Sequence, residues 1–264
     1  MHICVALVGI SYDPSYNHRK IKIPLVIDAT TLVDNQKKFV LDDLKSKGHT
    51  YDVVLSTNTH EKVEAYAKRV HAIWVDTKSE SLHEREREVL KYVQSGNYDG
   101  CLLFRCDIVF KSYISYMNID YTKFNLPYHH VMFERWKELK FKRVPVYNKS
   151  EVGGGLYYIP SRLYGAAIHA FDTIIPDDRI HHLNEYFEKS DIHYISNRRY
   201  QSNTDVMQNP LFEFQRSSVD DALNPNMRNP CYPSRFREGY RSVRNIHPDF
   251  EKCIDLLGRV RNVN

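Results

Sequence analysis

The sequence is poor in glycine and has no long apolar run. Only ten glycines occur in 264 residues, and the signatures G-x-G-x-x-G, G-x-x-x-x-G-K-[ST] and G-x-S-x-G are all missing. No apolar stretch approaches the roughly 20 residues that cross a bilayer, and the apolar start at 1–8 is too short for a signal peptide. These absences argue against a P-loop enzyme, a dinucleotide-binding fold, an α/β-hydrolase and a membrane span.

Cysteine and histidine show no metal-binding pattern. There are five cysteines, an odd number, and no two of them form a C-x-x-C pair. Three of the five lie in or beside apolar runs. This usage predicts reduced intracellular thiols and gives no hint of a disulfide framework or a structural zinc site. H-x-x-x-H spacing is absent, and the neighbours His129 and His130 would point to opposite faces of a strand.

The composition favours one packed domain with a mild positive charge. Hydrophobic residues make up 42% and charged residues 27%, which is enough apolar side chain for a core. The net charge of +4 is too small for a dedicated nucleic-acid binder, so we expect no nucleic-acid partner. A cleft for a small anion, such as a nucleoside diphosphate, is compatible with it.

The first half alternates between short β-branched runs and amphipathic helical patterns, which predicts an α/β fold with a mostly parallel sheet between helices. The predicted strands are 3–8, 52–56, 72–75 and 100–104, and the predicted helices are 37–47, 61–70 and 79–94. In the last helix, Leu82, Val89, Leu90 and Val93 form the apolar stripe, and we interpret the charge run 84–88 as a solvated face.

The second half is less regular. Strands are predicted at 128–136, 144–147 and 156–159, and helices at 162–171, 181–190 and 250–261. With no repeat and no linker, the chain is predicted to be a single domain, 1–264, with a nucleotide-binding half at about 1–110 and an acceptor-side half at about 111–264.

Polar loops follow the first, second and fourth predicted strands, at 9–19, 57–60 and 105–107. Parallel strands end at one edge of the sheet, where ligands of such folds bind. Asp107 would lie there, where it would hold a divalent cation, and without a metal Arg105 would meet the charge of a diphosphate. The alternative is that Asp107 is a surface residue paired with its neighbour Arg105. The predicted nucleotide-binding and diphosphate-binding residues are Gly9, Ser11, Arg19, Thr57 and Arg105.

Three segments in this order resemble those of GT-A-type glycosyltransferases, over roughly residues 1–215. They are Tyr51–Thr57, Leu102–Phe110 and Glu151–Ser161. The chain is similar to transferases of bacterial polysaccharide loci and of large DNA viruses of algae. The resemblance implies a UDP- or GDP-linked sugar donor, a saccharide acceptor, and a catalytic Asp107 that is also the metal ligand for Mn²⁺ or Mg²⁺. The cysteine usage, with no signal peptide and no membrane span, predicts a cytoplasmic location. The family's common motif has two acidic residues, and here Arg105 takes the first position, which leaves metal dependence open.

The glycine run at 153–155 precedes a predicted strand and has two interpretations. The resemblance makes Glu151, Gly153, Gly154 and Gly155 the floor under the transferred sugar. Alternatively, the glycines provide a bulge or a tight entry into the strand.

An inverting transferase needs a base for the acceptor hydroxyl, whereas a retaining enzyme does not. The candidates are Glu151, Asp172, Glu185 and Asp205. Glu185 lies in a pattern that resembles the family's late acidic helix, and Asp205 lies in a polar loop.

Two other functions remain open from the sequence. A sugar nucleotidyltransferase would need a glycine-rich basic loop after the first strand, but the segment 11–19 has no glycine. A non-catalytic α/β module would bind a glycan or a protein at the same sheet edge, with a structural Asp107.

Overall fold

The computed structural model describes residues 1–16, 25–75, 81–131, 155–174, 180–201, 212–214 and 217–218. The strands are β1 (His2–Val8), β2 (Tyr12–Tyr16), β3 (Leu25–Asp28), β4 (Thr50–Ser56), β5 (Ile73–Trp74), β6 (Gly100–Arg105), β7 (Ile108–Phe110), β8 (Phe124–Val131), β9 (Leu156–Pro160), β10 (Ile192–Gln201), β11 (Phe212–Phe214) and β12 (Ser217–Ser218). The helices are α1 (Val33–Gln36), α2 (Asp42–Ser46), α3 (Glu61–Arg69), α4 (Leu82–Ser95) and α5 (Tyr164–Ile174).

A seven-stranded sheet in the order β10-β8-β9-β6-β1-β4-β5 forms the centre of the fold. Strands β6, β1, β4 and β5 are parallel to one another, and β10 is parallel to β8. Strand β9 runs antiparallel to both of its neighbours, β6 and β8. The predicted α/β class with a mostly parallel sheet is therefore confirmed, and the carboxyl ends of β1, β4 and β6 lie at one edge.

Two apolar cores cover the two faces of this sheet. Alternate residues of β1 divide between them because neighbouring side chains on a strand point to opposite faces. Val5 packs in the core that includes Val40, Leu44 and Val63 of the helices before and after β4. Ala6 packs in the other core, with Val89 and Phe171 of α4 and α5.

The apolar runs locate the central elements well. Strands at 3–8, 52–56, 72–75, 100–104 and 156–159 correspond to β1, β4, β5, β6 and β9, and the helices at 61–70, 79–94 and 162–171 correspond to α3, α4 and α5. The helix predicted at 37–47 begins earlier, with a 3-10 turn at Ala29–Leu32, and a π-helical segment, Lys37–Leu41, separates α1 from α2. Gly48 follows α2 with φ +78°, as a helix C-terminal glycine does.

Several expectations need correction. The segment predicted as a helix at 181–190 is instead a 3-10 helix, Ile180–Tyr186, followed by a second short one at Lys189–Asp191. The strand expected at 128–136 begins earlier, at Phe124, and its described part ends at Val131. The predicted strand at 144–147 and the predicted helix at 250–261 lie outside the described residues. None of the helices in the described ranges is both long enough and apolar enough to cross a bilayer.

The charge run of α4 is only partly a solvated face. Arg85 is 8% exposed and Glu86 is fully buried. Both precede Val89 by three or four residues, so helical geometry places them on the same inward stripe as Leu82 and Val89. Alternating charge indicates a solvated face only where the positions lie off that stripe, and here two of the five do not.

Candidate functional site

The ends of β1, β4 and β6 bring three polar loops together. Val8 at the end of β1 lies opposite Ser56 of β4 and Arg105 of β6. Beyond the strand, the Gly9 amide donates to the Ser56 carbonyl (3.1 Å) and the Cys106 amide donates to the Val8 carbonyl (2.9 Å). The pairing therefore continues past the strand ends and fixes the loops relative to one another, as the sequence predicts.

Ser11 joins the loop after β1 to the loop after β4. Its backbone N–H donates to Thr57 Oγ1 (2.9 Å) and to Asn58 Oδ1 (3.0 Å). Its carbonyl accepts from the Ala29 amide (2.7 Å), which ties the loop to the helical segment before α1. Ser11 and Thr57 are both buried.

Arg105 and Asp107 form a two-bond fork at the end of β6. Arg105 Nε donates to Asp107 Oδ1 (2.8 Å) and Nη2 donates to Oδ2 (2.6 Å). The Asp107 side chain is 4% exposed and that of Arg105 is 21% exposed. The pairing that the sequence left as an alternative is present, but Asp107 is buried and does not lie on the surface. A bidentate pair of this kind fixes the guanidinium plane as well as its charge.

A second arginine, Arg85 of α4, lies near the same turn. Burial raises the pKa of the Cys106 thiol to about 12, and the Asp107 carboxylate adds to that increase. The positive charges of Arg105 and Arg85 act in the opposite direction on this thiol. The residue between the two fork partners is therefore affected by both guanidinium groups, that of the buried Arg85 and that of the partly buried Arg105, which is paired with Asp107.

Helix α1 holds the turn that carries the fork. Gln36 Nε2 donates to the carbonyl oxygens of Cys106 (2.8 Å) and Ile108 (3.1 Å). The Tyr66 hydroxyl of α3 donates to Gln36 Oε1. Asn35 exchanges two hydrogen bonds with the backbone of Phe110, at 2.9 and 2.8 Å. The turn on either side of Asp107 is thus bonded to two neighbouring side chains of one helix.

Two glycines permit close approaches at this edge. Gly9 has φ +105°, and a Cβ at this position would lie 3.3 Å from Leu82 Cδ1 at the start of α4. Gly155 has φ +96°, and its carbonyl accepts from the Arg105 amide at 2.9 Å. Both positions use backbone conformations that favour glycine. Gly155 therefore adjoins Arg105 and makes a tight entry into β9, which was one of the two interpretations of the glycine run.

The described residues do not fit a resident divalent cation. Mg²⁺ and Mn²⁺ need several oxygen ligands, and both oxygens of Asp107 already accept hydrogen bonds from Arg105. No three His, Cys, Asp or Glu side chains converge in the part of the chain that the structure describes. Asp107 as a metal ligand stays a prediction.

The remaining predicted residues fall into two groups. Glu185 lies exposed on the 3-10 helix Ile180–Tyr186, while Leu183 of the same segment is buried. Asp172 of α5 accepts from Arg87 of α4 at 3.1 Å, and its side chain is 47% exposed. These positions do not decide whether either carboxylate acts as a base. Five predicted residues lie outside the described ranges: Arg19, Glu151, Gly153, Gly154 and Asp205.

Asn35, Gln36, Asn58, Tyr66 and Arg85 are the residues that sequence reasoning missed at this edge. Gln36 contacts a carbonyl 70 residues away, and no local pattern signals such a bond. For Arg85 a signal was present, because its spacing from Val89 places it on the inward stripe of α4.

Comparison with known proteins gives only distant structural likenesses. No protein-family model matches the chain, and no curated protein sequence matches it. Among solved structures, a putative glucose-1-phosphate thymidylyltransferase from Bacillus anthracis is 13% identical, with a TM-score of 0.45 over 77% of this chain and 87% of that one.

Two further solved structures are a glycosyltransferase and a nucleoside-diphosphate-sugar pyrophosphorylase. The galactosyltransferase LgtC, in complex with donor and acceptor sugar analogs, is 12% identical, with a TM-score of 0.43 over 74% of this chain and 73% of that one. The nucleoside-diphosphate-sugar pyrophosphorylase from Vibrio cholerae is 12% identical, with a TM-score of 0.40 over 76% and 92% of the two chains. These TM-scores are below 0.5, so the function has to be inferred from the residues at the sheet edge.

Proposed function

We propose that this protein is a glycosyltransferase that moves a sugar from a UDP- or GDP-linked donor to a saccharide acceptor. The observation that carries the proposal is the Arg105–Asp107 fork at the carboxyl edge of the sheet, 2.8 and 2.6 Å in its two bonds. Ligands of open α/β sheets bind at this edge. A fixed, partly buried guanidinium suits a diphosphate, because its planar fork of N–H donors can bond two oxygens of one phosphoryl group.

The polar loops beside the fork support a nucleotide there. The loop after β1 and the loop after β4 meet at Ser11 and Thr57, which would line the nucleoside side of the site. Arg85 adds a second positive charge near Cys106. A leaving diphosphate develops negative charge as its bond to the sugar breaks, and cations fixed in advance stabilise that charge more than mobile ones do.

In the proposed reaction, the acceptor hydroxyl oxygen attacks the anomeric carbon of the donor sugar. The bond between that carbon and the β-phosphate oxygen breaks, and the diphosphate leaves with the electron pair. Arg105, held by Asp107, and Arg85 would meet the charge that appears on the diphosphate. If the configuration inverts, the hydroxyl proton passes to a carboxylate, for which Glu151, Asp172, Glu185 and Asp205 remain the candidates.

Gly155 would help to define the sugar side of the site. Its carbonyl is bonded to the Arg105 amide, so the entry into β9 adjoins the proposed diphosphate position. Gly153, Gly154 and Glu151 precede it in sequence and belong to the same proposal. A floor of glycine backbone leaves room for a sugar ring to lie close to the main chain.

The experiment is a product assay with the purified protein. It is incubated with UDP- and GDP-sugars and a mixture of saccharide acceptors, and the release of nucleoside diphosphate and the formation of new glycoside are measured. Equal amounts of both products with one donor support the proposal. Pyrophosphate release from a nucleoside triphosphate and a sugar phosphate would instead indicate a nucleotidyltransferase. Retention of a glycan with neither reaction would indicate a binding module.

A further inference from the structure

The turn that carries Asp107 is held by a buried amide on a different element. Gln36 is 2% exposed, and its side chain makes three hydrogen bonds, two of them to the carbonyl oxygens of Cys106 and Ile108. These carbonyls belong to the residues immediately before and after Asp107. The amide therefore brackets the aspartate without touching its carboxylate.

Tyr66 completes the arrangement. It is 4% exposed, and its hydroxyl donates to Gln36 Oε1. Burial raises the pKa of the Tyr66 hydroxyl well above its ordinary value, and the neighbouring Cys106 adds to this increase. Tyr66 thus stays a protonated donor at every working pH. The carbonyl oxygens of Cys106 and Ile108 can only accept, so Gln36 Nε2 must face the turn, and Oε1 is left to accept from the Tyr66 hydroxyl, which holds the amide in this orientation.

We infer that Gln36 is a positioning residue for the Arg105–Asp107 fork and that Tyr66 orients it. This inference rests on the proposed function, because the fork matters to a reaction only if the fork binds the diphosphate. The two carbonyl bonds fix the backbone on both sides of Asp107, and the fork then transmits this position to Arg105. Misplacing a reacting or charge-stabilising group by about 1 Å can cost on the order of 100-fold in rate.

Asn125 provides a matched control at the other end of the sheet. It is fully buried, and its amide also donates to two carbonyls, those of Asp120 (2.7 Å) and Lys123 (2.6 Å), while Oδ1 accepts from the Asp120 amide (2.8 Å). Asn125 lies opposite Tyr158 of β9, which in turn lies opposite Leu102, three residues before Arg105. Replacing this amide disturbs a turn of the same construction that is remote from the proposed site.

The test compares Gln36→Met, Tyr66→Phe and Asn125→Leu with the unchanged chain. We expect Gln36→Met to lose about 100-fold in kcat while KM for the donor changes much less, and Tyr66→Phe to lose about tenfold. Asn125→Leu should keep kcat within about threefold, although it loses the same kind of hydrogen bonds. All assays are made below the unfolding transition of each variant.

Amide hydrogen exchange of the segment 105–110 separates this inference from the proposed function. It should accelerate in Gln36→Met and stay unchanged in Asn125→Leu, whether or not a sugar is transferred. If the unchanged chain transfers no sugar, the proposed function fails, and exchange alone decides whether Gln36 holds the turn. Equal exchange in all variants, or equal loss of kcat in Gln36→Met and Asn125→Leu, would overturn the positioning role.

Discussion

Arg105 binds both carboxylate oxygens of Asp107, a residue only two positions further along the chain. The fork closes across Cys106, whose backbone amide is itself bonded to the end of β1. The two charged side chains of the R-x-D motif therefore bond each other, and the aspartate orients the guanidinium of Arg105.

Asp107→Asn should abolish sugar transfer while the fold survives. The variant keeps the shape of the side chain but leaves the partly buried Arg105 without its counter-charge. We expect a loss of about 100-fold or more in kcat and of about 1–3 kcal/mol in the free energy of unfolding. Steady-state kinetics and urea denaturation measure the two effects.

Asp191→Asn is the control for that variant. Asp191 accepts from Arg162 at 2.7 Å in an exposed ion pair remote from the sheet's carboxyl edge, and such pairs contribute about 1 kcal/mol or less. Its kcat should be unchanged. Full activity of Asp107→Asn would show that the Asp107 carboxylate is not needed for sugar transfer.

Sugar transfer should persist when divalent cations are removed. Both oxygens of Asp107 are bonded to Arg105, so a cation would have to displace a strong charge-assisted hydrogen bond to bind there. We expect the rate in excess EDTA to stay within about twofold of the rate with added Mn²⁺. A transfer activity that disappears in EDTA and returns with Mn²⁺ would show that a metal supplies the charge instead.

Replacing Gly9 by alanine should weaken nucleotide binding as well as stability. Gly9 has φ +105°, and its added Cβ would press on Leu82 Cδ1 at 3.3 Å, so the loop after β1 would shift. We expect a cost of about 1–3 kcal/mol in the free energy of unfolding and a clear loss of affinity for nucleoside diphosphate.

Gly48→Ala is the matched control for the Gly9 variant. Gly48 also has positive φ, +78°, but a Cβ there would meet nothing within 4 Å. It should lower stability and leave nucleotide affinity unchanged. Equal affinities of the two variants for nucleoside diphosphate would show that the loop at Gly9 does not contact the ligand.

Asp120 should make a pH-dependent contribution to stability. Hydrogen bonds from the Thr122 hydroxyl and amide hold the pKa of the Asp120 carboxyl below its usual value of 3.8. A lowered folded-state pKa means that the stabilisation is present above the unfolded-state pKa and is lost as the pH falls through the folded-state value. Because the group is largely solvated, we expect Asp120→Asn to cost under about 1 kcal/mol at pH 7, and this cost should shrink as the pH falls through the folded-state pKa. A difference that stays constant with pH would contradict this assignment.

The sequence predicts the central sheet because its strands are buried on both faces and therefore contain continuous apolar runs. Strand β10 was missed for the opposite reason: polar and charged residues interrupt IHYISNRRYQ along its length. It is a strand because it pairs with β8, more than 60 residues earlier in the chain.

The candidate site shows the same division between local and distant information. Arg105 and Asp107 follow an apolar strand, so local sequence places them at the ligand edge. The spacing of Arg85 from Val89 was also sufficient to predict its burial, but the charge run obscured it. Gln36 and Tyr66 gave no such signal, because their function depends on contacts with each other and with a turn about 40 to 70 residues away.

The most direct test of the central claim is the binding of nucleoside diphosphates and nucleotide-sugars, measured by thermal unfolding with and without Mn²⁺. A ligand that binds only the folded state stabilises it by about 2.7 kcal/mol at a hundredfold excess over its dissociation constant. We predict such stabilisation by one nucleotide family, its loss in Arg105→Met and its retention in Arg162→Met, whose guanidinium also bonds a carboxylate and a carbonyl but lies elsewhere. No stabilisation by any nucleotide, or equal stabilisation of Arg105→Met, would contradict a nucleotide-sugar site at this edge.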